Sequence, residues 1–129
     1  VSNDGKVALV KQFRYPYKEV IYEIPAGKID SGETPFQTVK RELKEEVGGY
    51  SDNIIDLGII YPSPGYTNEK IYIYLALDVV FEKQQLDDGE FLEVEFFNFD
   101  SVLQMINDNI IKDSKTVIAM LKAKDLLAK

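Results

Sequence analysis

Residues 27–49 read GKIDSGETPFQTVKRELKEEVGG and contain the signals for one complete helix. Thr34 is a favourable N-cap, Pro35 suits the first helical position, and Gln37 completes a T-x-x-Q capping box. Gly48 supplies the stop, because glycine adopts the left-handed conformation that ends helices at little cost. This stretch therefore predicts a helix that begins at Pro35 and ends before Gly48.

The side chains of this helix separate into an apolar face and an acidic face. At about 100° per residue, one narrow face carries four apolar residues, which predicts that this face is buried. Those residues are Phe36, Val39, Leu43 and Val47. Glu42, Glu45 and Glu46 gather on a different face, because spacings of three and four residues bring side chains together.

The acidic face opposes helix formation. Like charges three and four residues apart repel by about 0.2–0.5 kcal/mol per pair, and Glu45 and Glu46 also lie near the negative end of the helix dipole. A local rule broken in this way is typical of a functional site, and the simplest missing partner is a divalent cation. Hard ions such as Mg²⁺ take oxygen ligands from a few carboxylates and from substrate phosphates. The alternative is a solvated acidic face, with Arg41 and Lys44 as incidental neighbours.

The spacing around the acids favours the metal interpretation. The segment reads G-x5-E-x7-R-E-U-x-E-E-x-G, where U is aliphatic, and it resembles the Nudix box at all of the specified positions. The matching residues are Gly27, Glu33, Arg41, Glu42, Leu43, Glu45, Glu46 and Gly48. Residue 49 is usually aliphatic in that family and is glycine here, which we expect to loosen the packing beneath the helix end.

The resemblance implies a fold, a cofactor and a set of roles. The implied fold is α/β, a Nudix α/β/α sandwich with a mixed β-sheet between helices. The implied chemistry is hydrolysis of a nucleoside diphosphate linked to another moiety, with Mg²⁺ or Mn²⁺ neutralising the diphosphate oxygens and activating a water. The implied metal ligands are Glu42, Glu45, Glu46 and the backbone carbonyl of Ala26, and Glu45 and Glu46 are also implied to be catalytic. Arg41, implied to be catalytic as well, aligns a ligating glutamate, and Glu33 supports the loop or an outer metal position.

Similarity extends beyond the box. The segments KQFRYP, EIPAG and YPSPGYTNEK, residues 11–16, 23–27 and 61–70, resemble the ADP-ribose pyrophosphatase branch of the family. By this resemblance Arg14 binds a phosphate or the terminal ribose, and Glu23 binds a ribose or base group. A proline downstream of the box is also typical of the branch. It implies a substrate-binding loop at Ser63, Pro64 and Gly65. Tyr15 and Tyr17 either lie near an adenine or are simply packed.

The resemblance also implies a general base on an acidic loop before a late strand. In this chain that loop reads Asp87-Asp88-Gly89-Glu90, and alignment of the strand that follows selects Glu90. Asp88 is the reserve candidate. The alternative is an ordinary solvated loop, because charged connections are common on protein surfaces.

Composition restricts the other classes of function. The 129 residues are enough for one domain, expected to span residues 1–129, and 45% apolar with 29% charged residues is typical of a globular protein. A net charge of −7 argues against unassisted binding to nucleic acid or an anionic membrane. The chain has no cysteine and no histidine, which excludes thiolate and Ser-His-Asp chemistry. No membrane-length apolar run or signal peptide is visible, so we expect a cytoplasmic protein.

Segments outside the box predict the remaining elements. Strands are predicted at residues 6–13, 18–24, 54–61 with a bulge at Gly58, 70–80 and 91–98. The strand at 70–80 is nearly continuous in apolar residues, which favours a central strand covered on both faces. Asp100 is expected to cap a short helix, and a final helix is expected from Asp113 or Ser114.

Together these residues predict a Mg²⁺-dependent enzyme that cleaves ADP-ribose to AMP and ribose 5-phosphate. One alternative is a Nudix pyrophosphohydrolase that acts on another nucleoside-diphosphate sugar or a dinucleotide. A more remote one is a non-catalytic nucleotide-binding regulatory domain. Relatives in this branch resemble homodimers that exchange N-terminal strands, and Val1 is not an initiator methionine, so we expect such strands to precede residue 1.

Overall fold

Helices and strands are mixed along the chain in the computed structural model, which describes residues 1–83 and 92–129. In chain order the elements are β1 (Lys6–Arg14), β2 (Glu19–Glu23), α1 (Pro35–Val47), β3 (Gly49–Tyr50), β4 (Asn53–Ile60), β5 (Ile71–Leu77), β6 (Val80–Phe81), β7 (Glu93–Asn98), α2 (Phe99–Asn107) and α3 (Ser114–Leu127). The predicted α/β class is confirmed. Within the described ranges, no helix is both long and apolar enough to cross a membrane.

Strand β1 lies at the centre of the layered structure. It pairs antiparallel with β2 on one side and with β7 on the other. Its side chains alternate between two faces, because successive residues of a strand point in opposite directions. Val7 and Leu9 pack into one core with residues of α2 and α3, whereas Ala8 and Val10 pack against Val47 of α1. The sheet is therefore covered by α1 on one face and by α2 and α3 on the other.

The remaining strands form two smaller antiparallel pairs. β4 pairs with β5, and β3 pairs with β6. A single parallel bridge joins Ser2 to Val79, so the described residues contain both pairing directions. The register of the β4–β5 pair shifts between Asp56 and Gly58, where Gly58 has a φ of 105°. This confirms the predicted bulge.

The helix predicted from residues 34–48 is confirmed at both ends. The Thr34 hydroxyl accepts a hydrogen bond from the backbone N–H of Gln37, and the Gln37 side chain accepts one from the N–H of Thr34. Gly48 ends the helix in the left-handed conformation, with a φ of 69°. Its N–H donates to the carbonyl of Lys44 at 3.0 Å.

The predicted buried face of α1 is only partly correct. Val47 is buried, but Phe36 at the other end is 44% exposed and meets Tyr74 edge-on. Thr38 and Glu46 are both 5% exposed, so the buried surface extends onto the acidic side of the helix. Helical periodicity could not show this, because the loop after β2 covers the acidic side.

The prediction that residues 70–80 form a central strand was wrong. Among the described strands β5 pairs with β4 alone, and it ends at Leu77. Asp78 follows with a φ of 51°, which separates β5 from β6. Ile73 and Leu75 are buried on one face, but Tyr72 on the other is exposed. Tyrosine tolerates such a position because its ring is apolar and its hydroxyl is polar.

The two C-terminal helices test the predicted caps. Asp113 caps α3, accepting a hydrogen bond from the N–H of Thr116, as predicted. The predicted Asp100 cap was wrong, because α2 begins at Phe99 with Asn98 as its N-cap. Asp100 lies inside the first turn, where its charge complements the helix dipole. The strands predicted at 6–13, 18–24, 54–61 and 91–98 are observed with ends that differ by one or two residues.

Gly48→Ala is expected to lower the free energy of unfolding by about 2–4 kcal/mol. A side chain there is strained by the left-handed backbone, and its Cβ would lie 2.7 Å from the carbonyl carbon of Glu82. Urea denaturation measures the change. Gly32→Ala is the matched control, because Gly32 has a φ of 84° with no atom within 4 Å of the added Cβ. Equal losses for the two variants would show that the contact with Glu82 contributes nothing.

Residue 49 does not loosen the packing as expected. Gly49 is buried, and a Cβ on it would lie 2.9 Å from the side chain of Leu43 and 3.0 Å from that of Val79. The space that an aliphatic side chain would use is therefore already filled by these two neighbours.

Candidate active site

The loop that leaves β2 folds over the acidic side of α1. The backbone N–H of Ala26 donates to a carboxylate oxygen of Glu46 at 3.1 Å. At the next residue, a Cβ added to Gly27 would overlap the carboxyl group of Glu42. The loop backbone is thus in direct contact with two of the three clustered glutamates, and that contact explains why Glu46 is buried.

Arg41 connects the acids on α1 to this loop. Its Nη1 donates to Glu42 at 2.7 Å and to Glu45 at 3.1 Å. Its Nε and Nη2 donate to the two oxygens of Glu33 at 2.8 and 3.0 Å, and Nη2 also donates to the carbonyl of Lys28 at 3.1 Å. The planar guanidinium, with donors on several edges, suits this position better than an ammonium group would. Sequence analysis predicted that Arg41 pairs with a clustered glutamate, and it contacts two of them.

Glu33 holds the loop to the start of the helix. It accepts hydrogen bonds from the N–H of Asp30 at 3.0 Å and from the hydroxyl of Thr38 at 2.9 Å. The hydrogen bonds from Arg41, with a smaller contribution from Asp30, lower the pKa of Glu33 to about 2. Glu33 is therefore a charged anchor of the loop at neutral pH.

The glutamates of the cluster carry more negative charge than Arg41 neutralises. Burial raises the pKa of Glu42, and the charge of nearby Glu45 raises it further, although Arg41 acts in the opposite direction. Carboxylates crowded in this way are stabilised by an added cation.

The donors at this site fit a hard divalent cation. All of the candidate ligand atoms are oxygens, and the absence of a side chain at Gly27 allows the loop to approach Glu42 closely. Among residues 1–83 and 92–129, no three acidic side chains converge as a ready-made ion cage. Mg²⁺ seldom requires such a cage, since it is usually held by one or two carboxylates together with substrate phosphates and water.

A second charged cluster lies where β2 meets the start of α3. Arg14 forms a bidentate pair with Glu23, with Nε and Nη2 donating at 2.6 and 2.7 Å. Glu23 is 2% exposed, whereas the side chain of Arg14 is 47% exposed. Burial by itself would raise the pKa of Glu23, but hydrogen bonds from Arg14 and Lys115 outweigh it and lower the pKa. The structure thus brings together two of the five residues predicted to bind substrate, Arg14 and Glu23.

Sequence analysis missed two members of this second cluster. The ammonium of Lys115 donates to Glu23 at 2.5 Å and to Asp113 at 2.9 Å. The hydroxyl of Thr116 donates to Asp113 at 2.6 Å and accepts the N–H of Ile24 at 3.0 Å. The only signal in the sequence was the expected helix cap at Asp113, because Lys115 lies 92 positions from Glu23 along the chain.

The two clusters are neighbours in space. The hydrogen bonds from Arg14 to Glu23 are the main cause of the raised pKa of Arg14, and the charge of Glu46 also contributes. Glu23, to which Arg14 is bound, lies three residues before Ala26, whose N–H donates to Glu46 on α1. One side of the molecule carries both a candidate metal site and a half-exposed guanidinium.

Comparison with known families identifies this arrangement. The NUDIX domain matches residues 1–119. The chain belongs to the Nudix family. The residues of its Nudix box are therefore those described above on α1 and on the loop after β2.

Two known pyrophosphatases resemble the chain over most of its length. The ADP-ribose pyrophosphatase of Bacillus subtilis (strain 168) is 39% identical over 122 residues, which cover 93% of this chain and 66% of that protein. The GDP-mannose pyrophosphatase of Yersinia enterocolitica is 32% identical over 126 residues, 91% of this chain and 65% of that protein. The chain thus spans just under two thirds of the length of these two relatives.

A solved structure confirms the Nudix fold. The crystal structure of an ADP compounds hydrolase superposes with a TM-score of 0.85, at 24% sequence identity, and covers 97% of this chain and 68% of that one. The α/β/α arrangement expected from the box is therefore the arrangement observed.

The other predicted substrate residues of this Nudix domain lie on exposed turns. Ser63, Pro64 and Gly65 form part of the turn between β4 and β5, and no described hydrogen bond or ion pair joins them to either charged cluster. Tyr15 and Tyr17 lie in the turn between β1 and β2 and are 75% and 74% exposed. Burial in the core therefore does not explain the two tyrosines.

The predicted general base falls outside the part of the chain that the structure describes. Both Glu90 and its reserve Asp88 belong to residues 84–91. β7, the strand that follows, begins at Glu93 and pairs with β1 as far as Lys11. The role of Glu90 stays a prediction.

Gly27→Ala is expected to reduce divalent-metal affinity and hydrolytic activity by about 10–100-fold, the range seen when the support of a metal ligand is lost. The new Cβ would displace the carboxyl group of Glu42, which can move because it ends a flexible side chain. The melting temperature should therefore change little. Calorimetric titration with Mn²⁺ and a rate assay test this expectation. The control is Gly32→Ala in the same loop, and unchanged metal affinity for the Gly27 variant would show that metal binding does not depend on the close approach of the loop to Glu42.

Proposed function

We propose that this Nudix domain hydrolyses the pyrophosphate of ADP-ribose to AMP and ribose 5-phosphate, with Mg²⁺ or Mn²⁺ as cofactor. The observation that carries the proposal is the contact of the Ala26–Gly27 backbone with Glu42 and Glu46 beneath it. That contact brings the loop backbone to two of the three clustered carboxylates. The relative at 39% identity, an ADP-ribose pyrophosphatase, supports the choice of substrate.

The proposed metal ligands are Glu42, Glu45, Glu46 and the backbone carbonyl of Ala26. A cation bound there supplies charge neutralisation for the diphosphate oxygens and a water of lowered pKa. Arg41 acts on the carboxylates, because its donors hold Glu42 and Glu45 in one orientation. The loop after β2 excludes water from the buried side of the cluster.

The proposed substrate contacts come from residues outside the Nudix box. Arg14 binds a phosphate or the terminal ribose, since a half-exposed guanidinium can donate to two phosphate oxygens at once. Glu23 accepts from a ribose or base group, and Ser63, Pro64 and Gly65 of the exposed turn between β4 and β5 also contact the substrate. Tyr15 and Tyr17 offer exposed rings for an adenine.

The proposed general base is Glu90, with Asp88 in reserve. A base must accept a proton from the attacking water, and a carboxylate close to the diphosphate can do so. Support for Glu90 comes from its position in the sequence, in an acidic segment directly before β7.

A second candidate function is hydrolysis of another nucleoside-diphosphate sugar. The GDP-mannose pyrophosphatase relative at 32% identity favours it. The box residues act on the pyrophosphate that all of these compounds share, so they do not choose among bases and sugars. That choice is made by groups that contact the rest of the substrate.

A substrate panel tests the proposed function. Nucleoside monophosphate release is measured from ADP-ribose, GDP-mannose, other nucleotide sugars and NADH, each with Mg²⁺ and with EDTA. We expect ADP-ribose to have a kcat/KM at least about tenfold above the others, and EDTA to abolish turnover. Equal rates across the panel would overturn the substrate assignment. No hydrolysis of any compound would favour a nucleotide-binding regulatory domain instead.

The remaining features of the proposal are the domain organisation, the oligomeric state and the location. We propose that residues 1–129 form one catalytic domain and that the protein is a homodimer in the cytoplasm. Light scattering of the purified protein measures the oligomeric state, and a monomer would contradict the proposed homodimer.

A further inference from the structure

The second charged cluster contains a buried acid that two cations share. Glu23 is almost completely buried, and both of its oxygens accept hydrogen bonds from Arg14. The Lys115 ammonium binds one of the same oxygens, and its side chain is 13% exposed. A buried carboxylate loses several kcal/mol of hydration, so it requires compensation at all times.

If Arg14 binds a phosphate, its positive charge interacts with both Glu23 and the substrate. Its pairing with Glu23 uses Nε and one terminal nitrogen, and its side chain is about half exposed beside the box. A guanidinium fully neutralised by Glu23 attracts an anionic substrate weakly. A guanidinium that turns away from Glu23 leaves a buried charge without compensation.

We infer that Lys115 is a positioning residue for substrate binding: it compensates the buried charge of Glu23, so that the charge of Arg14 remains available to the diphosphate. This inference rests on the proposed function. Without Lys115, the group of Arg14, Glu23 and Asp113 carries a net charge of −1. With Lys115 the group is neutral, and a dianionic substrate meets less repulsion.

Asp113 keeps Lys115 in place. Its carboxylate accepts from the ammonium at 2.9 Å and from the Thr116 hydroxyl at 2.6 Å, while it caps α3. Thr116 is fully buried and also binds the backbone of Ile24, next to Glu23. The start of α3 is therefore anchored to the end of β2, and the lysine has little freedom to leave Glu23.

A double-mutant cycle tests the inference. We expect Lys115→Met to raise KM for ADP-ribose by about tenfold while kcat stays within about twofold. An effect of this size is typical of coupling between residues in contact, here Lys115 and Glu23. In the background of Glu23→Gln, the same change at Lys115 should raise KM by less than about threefold, because no buried charge remains to be compensated. Lys115→Arg should restore the KM of the wild type. The matched control is Lys124→Met, which removes the same charge from an exposed position of the same helix.

Three results would overturn the inference: an unchanged KM in Lys115→Met, an equal increase of KM in both backgrounds, or a loss confined to kcat. If Lys115→Met does not fold, Lys115→Gln replaces it in the same cycle. The same cycle is also measured as the affinity for ADP-ribose by calorimetry without metal, where no hydrolysis is expected. A wild-type protein that hydrolyses none of the substrates would contradict the proposed function. The affinities measured in the cycle would still decide the role of Lys115, because they do not depend on hydrolysis.

Discussion

Replacing Glu45 and Glu46 together by glutamine is expected to lower kcat for ADP-ribose by at least 10²–10³-fold, roughly the loss caused by removing one group that stabilises developing charge. Glutamine keeps the size of the side chain but removes the negative charge that holds a cation. Glu46 accepts the N–H of Ala26, and a glutamine oxygen can accept the same hydrogen bond. The local fold should therefore persist.

The same double variant is expected to be as stable as the wild type or slightly more stable. The substitutions relieve about 0.2–0.5 kcal/mol for each of the two repulsive pairs with Glu42, and this exceeds the loss of the single i,i+4 ion pair between Arg41 and Glu45. A loss of activity together with a gain in stability is expected when acidic residues serve the function but destabilise the helix. Steady-state kinetics with Mg²⁺ and urea denaturation measure the two quantities.

The control for this variant is Asp125→Asn, which removes one negative charge from an exposed pair with Lys129. It should change neither kcat nor stability appreciably. Full hydrolytic rate in the Glu45 and Glu46 double variant would contradict the metal site. So would a calorimetric titration that finds no Mg²⁺ or Mn²⁺ bound with nucleotide present.

Replacing Glu90 by glutamine is expected to reduce kcat by about 10²–10⁴-fold, the usual contribution of a general base, with KM changed only a few-fold. The substitution preserves shape and removes proton affinity. In the wild type, kcat should fall at low pH as the base becomes protonated. In the variant this dependence should disappear, because glutamine does not titrate.

The pH profile distinguishes a base from a residue that only supports the loop. Asp88→Asn is the matched control from the same acidic segment, and we expect it to retain the low-pH limb of the profile. An unchanged kcat in Glu90→Gln, with loss in Asp88→Asn, would move the role to Asp88. Unchanged rates in both variants would move it to a box glutamate such as Glu45.

Signals confined to a few neighbouring residues made the central helix predictable. The Thr34 and Gln37 capping box and the stop at Gly48 each act within one helical turn, so sequence spacing is sufficient to recognise them. The acids of the box were recognised for the same reason, because residues three and four apart on a helix are neighbours in any fold.

Predictions that depended on distant partners were less successful. The apolar run at 70–80 was assigned to a central strand, but β5 pairs with β4 alone among the described strands. Periodicity identifies which residues avoid water, and the neighbours that cover them come from other segments. The exposure of Phe36 and the burial of Glu46 differ from the prediction for this reason as well.

By itself, the sequence determined the helix from Pro35 to Val47, the acidic face on it and the membership of the Nudix family, because these depend on local spacing and residue type. Only the tertiary structure placed Ala26 and Gly27 over the acids, and only it brought Lys115 to Glu23 from 92 positions away. The physical reason is that a buried charge pairs with an opposite charge that lies near it in the folded chain. The spacing of residues along the sequence does not show which of them become neighbours.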